Sequence, residues 1–268
     1  MDHLHRELAP ITDAAWEAIE HDARARLTTY LASRKVVDFA GPHGWAHSAT
    51  DLGRITPVPG PSEGVTAAQR RVLPLLELRT EFRVPRVELD DVDRGATDID
   101  LAGLDEAVRQ IAVAENSTVF HGHVAAGIRG ITEHTSHEPV ALGTDPERFP
   151  TAVAQAVDVL RQSGIGGPYG LALSPSVYST IIETTEHGGY LLLDHLRTIL
   201  GGPLVWAPGV DVGVVLSLRG GDFVLDSGQD IAIGYRDHDA DLVRLYLEES
   251  FSFRVLEPDA SVALRTEH

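Results

Sequence analysis

The strongest constraint in this chain is an alternation. Leu76, Leu78, Thr80, Phe82 and Val84 share one side of an extended segment, while Glu77, Arg79, Glu81 and Arg83 share the other. The alternating signs on the polar side suit ion pairs with a neighbouring strand. Just before it, residues 41–64 concentrate Gly and Pro (Gly41-Pro42, Pro57, Pro59-Gly60-Pro61, Gly64), and within them 52–58 reads as extended. We read 49–84 as a long two-stranded arm. An isolated hairpin is marginal in water, so an arm of this kind requires a partner surface.

A second long alternation closes the chain. Over 241–255, Val243, Leu245, Leu247, Phe251, Phe253 and Val255 share a face interrupted by Glu249. That is about 13 residues of strand, against the usual five or six. Between the two alternations, helical periodicity dominates. Thr12 is an N-cap for a stripe of Trp16, Ile19, Ala23, Leu27 and Leu31. Asp100 precedes a longer pattern (Leu101, Leu104, Val108, Ile111, Val119) that stops near Gly122. Pro150 and Pro175 open further helices, and 190–200 is helical after the break at His187-Gly188-Gly189. Short strands are expected at 171–173, 204–206 and 212–218. Strands and helices mix without a regular βαβ order, so the class is α+β.

Composition narrows function. The 268 residues carry a net charge of −18, which opposes binding to a phosphate backbone and makes copies of the chain repel one another. Any assembly must overcome that repulsion through apolar or strand-pairing surface. With no Cys, disulfides, thiolate catalysis and Cys-ligated zinc are excluded. The only Lys, Lys35, lies in Ser33-Arg34-Lys35-Val36, without the glycines of a phosphate loop. No apolar run is long enough to span a bilayer and no secretory leader is visible, so a cytosolic protein is expected.

The motifs that could carry chemistry thin out on inspection. Gly164-Ile165-Gly166-Gly167-Pro168-Tyr169-Gly170 follows a helix instead of a strand and has Tyr169 where a dinucleotide loop needs its third Gly, so it reads as a turn. Gly220-Gly221-Asp222-Phe223 reads as a hairpin turn, and no Ser sits in a nucleophile elbow. His121, His123, His134 and His137 are the metal candidates, in a pattern that lacks the zincin Glu. A His-dependent metalloenzyme is the remote alternative they support, and solvated histidines are the plainer one.

Several segments, in order, resemble the encapsulin family of its first type. They are Leu8-Ala9-Pro10-Ile11-Thr12 with Trp16, Arg34-Lys35-Val36-Val37-Asp38 with Gly41-Pro42 and Gly44-Trp45, and Leu75-Leu76-Glu77-Leu78-Arg79. Glu88-Leu89-Asp90-Asp91-Val92-Asp93-Arg94-Gly95, Gly167-Pro168-Tyr169, Arg219-Gly220-Gly221-Asp222-Phe223, the run 228–235 and Val243-Arg244-Leu245-Tyr246 continue the likeness. The resemblance implies a tailed-phage major-capsid fold of the Hong Kong 97 type in a single protomer. Its divisions would be an N-terminal helix and start of the peripheral domain (1–48), an extension arm (49–84) and a peripheral domain with a spine helix (85–133). An axial domain (134–222) and peripheral return strands (223–268) would follow.

The resemblance further implies a shell of about 60 copies in its smallest form, with no enzymatic activity of its own. The shell would enclose a dye-decolorising peroxidase or a ferritin-like protein in the cytoplasm. The cargo's C-terminal peptide would dock near Leu27, Arg34, Asp38 and Ile231, although Leu27 and Ile231 are equally readable as ordinary core. Glu186, His187, Gly188 and Gly189 would ring a pore at a symmetry axis, or simply break a helix. Val87 stands where some members present an aromatic ring to flavin, so no shell-bound flavin is expected. Neither nucleic acid nor membrane is an expected partner. A prophage major capsid protein of the same fold is the alternative.

Overall fold

The structure, a computed structural model, describes residues 3–185 and 191–266. A helical turn at Arg6–Leu8 leads into α1 (Asp13–Tyr30). Thr12 caps α1 by accepting a hydrogen bond from the Ala15 N–H at 3.3 Å, and Ala15, Trp16, Ile19 and Ala23 form its buried stripe. Then come β1 (Asp38–Ala40), β2 (Ala49–Val58), β3 (Ala67–Pro74), β4 (Leu76–Pro85), α2 (Arg86–Asp93) and α3 (Ala102–His121). The middle of the chain forms α4 (Ile131–His134), β5 (Val140–Ala141), α5 (Phe149–Gln162), β6 (Tyr169–Leu173), α6 (Pro175–Glu183) and α7 (Leu192–Leu200). It closes with β7 (Leu204–Trp206), β8 (Gly213–Ser217), β9 (Phe223–Ser227), β10 (Ala232–His238), β11 (Leu242–Val255) and β12 (Ser261–Arg265). No helix among the described residues is long and apolar enough to cross a membrane.

Two five-stranded sheets organise these elements. The first is built on β11. One edge of β11 pairs antiparallel with β4, and the other pairs with β10 and then β9, which carries β1 in parallel. The second runs β5-β12-β8-β6-β7 and mixes parallel and antiparallel pairs. Each sheet has its own core. Trp16 and Ile19 of α1 and Leu104, Val108 and Ile111 of α3 pack with Phe82, Val84, Leu245 and Leu247. The second core joins α5, α6 and α7 to the second sheet and takes in Phe251 and Phe253. The 14 residues of β11 therefore run from one core into the other, which is why the strand is so long.

Two expected boundaries move. Residues 49–84 are not one hairpin: β2 pairs with β3 from Ala49↔Pro74 to Val58↔Ala67, whereas β4 leaves and pairs with β11 from Leu76↔Phe251 to Pro85↔Leu242. The reason is the apolar face of β4, since Phe82 and Val84 are buried against α3. The arm proper is thus 49–74. Nor does everything after 223 stay with the first sheet, because β12 inserts between β5 and β8 of the second. Val262 and Leu264 are buried there.

The arm is the most exposed part of the backbone ladder. Ile55 is 66% exposed, and Val58, Val65 and Val72 are also exposed. Among the described residues its two strands pair only with each other. Thr50, at its root, is buried and hydrogen-bonds to Asp226 and Ser252.

Candidate functional site

After α1 the chain turns sharply, and Asn116 of α3 holds that turn. Its Oδ1 accepts from the Ala32 and Ser33 N–H groups, both at 3.0 Å, and its Nδ2 donates to Tyr30 O at 2.8 Å and Pro208 O at 2.9 Å. All its hydrogen-bonding capacity is used, which locks the neighbouring Arg34 in place. Glu115, next to Asn116, is fully buried and accepts from Ser33 Oγ at 2.6 Å and from Arg34 Nε at 2.8 Å. Arg34 also reaches Asp230 at 2.6 Å and the buried Glu249 at 3.1 Å. Its guanidinium lies 5.0 Å from the centre of the Phe39 ring.

The electrostatics of this knot are lopsided, with three carboxylates facing one guanidinium. Burial opposes the charge on Arg34, but Glu115, Glu249 and Asp230 more than offset it, so Arg34 is held above its ordinary value. For Glu249 the balance goes the other way. Burial first, and the neighbouring Glu115 second, push its carboxyl well above the usual carboxylate range against the pull of Arg34.

Above this knot lies a cleft of about 580 Å³ between α1 and the β10 side of the first sheet. Leu27 and Leu31 from α1 and its exit, with Ile231, Ile233 and Leu247 from the sheet, make its apolar floor. Arg6, Glu20, Arg24, Lys35 and Asp230 make a rim of both signs, within which Arg6 pairs with Glu20 at 2.5 Å. Leu27 and Ile231 are half-buried: each packs against the first core and also presents apolar surface to the cleft. Such a shape suits an extended peptide with apolar anchors and a few charges.

Leu27, Arg34 and Ile231, expected to act together, line this one cleft. Asp38 does not join them. It is exposed at the start of β1, accepts from the Gly221 N–H at 2.5 Å and lines a separate, smaller cleft with Val36, Ser217 and Gly220. The chain leaves the helical turn at 33–35 before β1 begins at Asp38, and β1 runs beside β9, away from the α1 cleft. Glu186, His187, Gly188 and Gly189 lie outside the described residues. Val87, on α2, is 57% exposed and has no ring to offer. Trp45 stacks on His3 with ring centres 4.2 Å apart.

Sequence reasoning missed Glu115 and Asn116, yet a signal was there. Glu115 falls four residues after Ile111 and four before Val119, inside the apolar stripe of α3. A carboxylate at such a position needs a cation or a proton. The histidines weighed as a remote metal alternative are held apart. His121 Nδ1 sits 2.9 Å from Thr132 Oγ1, and His137 Nε2 lies 3.0 Å from Asp259 O, each held by a separate part of the fold. Among the described residues the group able to share an ion is His43, His47 and Asp226 instead.

With the geometry in hand, the likeness to known proteins is direct. A family model described as an encapsulating protein for peroxidase matches residues 1–252. A type 1 encapsulin shell protein of Rhodospirillum rubrum is 48% identical over 271 residues, spanning 99% of this chain and 97% of its own. Among solved structures, the virus-like particle of Pyrococcus furiosus has a TM-score of 0.67 at 18% identity, covering 93% of this chain and 99% of that one. The capsid of an empty GTA particle has a TM-score of 0.54 at 14% identity, covering 89% and 90%. The last two likenesses are of fold alone, and that fold is the capsid fold of the Hong Kong 97 type. The chain belongs to the encapsulin family of shell proteins.

Proposed function

We propose that copies of this chain close into an icosahedral shell, about 60 in its smallest form. The cleft of Leu27, Arg34 and Ile231 would then bind the C-terminal peptide of the enclosed enzyme. One observation carries the assembly: the arm at 49–74 exposes Ile55, Val58 and Val72 and pairs with nothing but itself among the described residues. At a net charge of −18, copies repel, so contacts must come from apolar surface and open strand edges of this kind.

The protomer's role in this reading is structural and cargo-binding, with no catalytic residue of its own and no shell-bound flavin. A peroxidase is the favoured cargo, in keeping with the family's description, and a ferritin-like protein is the other. The compartment lies in the cytoplasm. Small substrates or ions pass through openings at the symmetry axes, for which residues 186–189, outside the described residues, are the candidates.

The test has two arms. Purified alone, the chain should elute as a megadalton particle that micrographs show as hollow; a stable monomer or dimer overturns the assembly reading. Fused to the cargo peptide, a fluorescent protein should co-elute with that particle. Leu27→Asp and Ile231→Asp should each weaken peptide binding by about tenfold or more, since each removes an apolar anchor contact. Particles that form normally and bind the peptide unchanged in both variants would contradict the assignment of the cleft.

A further inference from the structure

The loop between β1 and the arm carries two histidines, His43 and His47, and the fold brings both to Asp226 on β9. His43 Nε2 lies 2.8 Å from Asp226 Oδ1, and one ligating atom from each of the three residues lies within 4.8 Å of the other two. The two imidazole rings are 4.7 Å apart between centres and tilted by 49°.

The surroundings hold this group in place. The His43 N–H donates to Ser227 O at 3.0 Å, the Gly44 N–H to Gly228 O at 2.7 Å and the His47 N–H to Gly44 O at 3.0 Å. Gly44 has a φ of 101°, which favours glycine and lets the loop bring its second histidine back. Thr50 Oγ1 donates to Asp226 Oδ2 at 2.7 Å, which fixes the carboxylate and leaves Oδ1 toward the histidines. His47 Nε2 is buried and has no hydrogen-bond partner. Buried polar atoms are rarely left so. A His43–Asp226 hydrogen bond explains His43 and the carboxylate, but it gives His47 nothing to do.

Two imidazoles and a carboxylate are the donor set of borderline divalent cations. Metal–ligand bonds of about 2.0–2.1 Å in a tetrahedral site require donors about 3.4 Å apart. The side chain of His43 is 44% exposed, so a small rotation of its ring about the Asp226 contact has room to close the present spread. Three protein donors leave one position for water. We propose that His43, His47 and Asp226 form a binding site for one divalent transition-metal ion of the zinc type at the root of the arm. The ion ties the loop before β2 to β9 beside the buried Thr50, and so stiffens the base from which the arm projects.

Assembled particles stripped with chelator and titrated with zinc chloride, with calorimetry and elemental analysis as readouts, test this. The expected result is one zinc per protomer, lost in His43→Gln and in His47→Gln while both variants still form particles. The chain has 13 His, and zinc held elsewhere on the surface would survive both substitutions. Stoichiometric zinc that persists in both variants overturns the proposal, as does its absence from the parent. Cobalt loading of the parent particle keeps the test decisive if a variant fails to assemble. Intense tetrahedral visible bands are expected, and a weak octahedral spectrum contradicts the site.

Discussion

The arm and β4 are adjacent in the chain, with only Leu75 between β3 and β4, yet they meet opposite fates. The arm's strands bond to each other and leave Ile55 and Val72 exposed. In β4, by contrast, Phe82 is 4% exposed and Val84 fully buried, and ten residues of the strand are laid along β11. The difference teaches what an alternating strand does and does not specify. Alternation says that a strand has an apolar side; the element that covers that side decides whether the energy is spent on folding the protomer or kept for another molecule. For β4 the cover is α3, whose Leu104, Val108 and Ile111 meet it from within the same chain.

The sharpest way to break this comparison is to charge the arm. Replacing Ile55 and Val72 together by Asp should abolish the particle in size-exclusion chromatography while leaving the far-ultraviolet circular dichroism of a folded protomer. An intact particle would mean that the arm's apolar side contributes nothing to assembly. The matching change in the buried strand, Phe82→Ala, should cost about 3–5 kcal/mol of protomer stability in denaturant titration, because it leaves a cavity between β4 and α3.

A smaller effect should appear where β11 passes from one core to the other. The carboxyl of Glu249 is raised above its ordinary range, so the folded state binds its proton more tightly than the unfolded state does. Stability contributed by that proton is present below the ordinary carboxylate value, about 4.3, and is lost as pH rises through the raised one. Thermal melts should therefore show the parent losing stability across that window more steeply than Glu249→Gln. Equal slopes would mean that Arg34 fully compensates the buried charge. Smallest of all, Arg236→Ala removes an exposed ion pair with Glu81 on β4 and should change stability by less than about 1 kcal/mol.

Much of the fold could be read from periodicity, and the part that could not has one cause. The cap at Thr12, the helix that ends at Gly122 and the long strand β11 all follow from local pattern. The partner of β4 does not, because Arg79 pairs with Glu248, 169 residues further on, and alternation carries no address. The same holds for β12, a short buried strand that chooses its sheet by tertiary contact. At the cleft, Leu27, Arg34 and Ile231 come together as the family likeness implied, while Asp38 lines a neighbouring cleft, and no local pattern in the sequence marks that separation. The buried Glu115 is the instructive case. A charge in the middle of an apolar stripe was visible in the sequence, and only its partner, Arg34, had to await the fold.

The most direct test of the central claim is a cryo-electron microscopy reconstruction of the purified particle, traced through residues 49–74. The account predicts that the β2–β3 ladder lies across a neighbouring protomer, with Ile55 and Val72 covered by it. An arm folded back onto its own protomer, leaving the neighbour untouched, would contradict it.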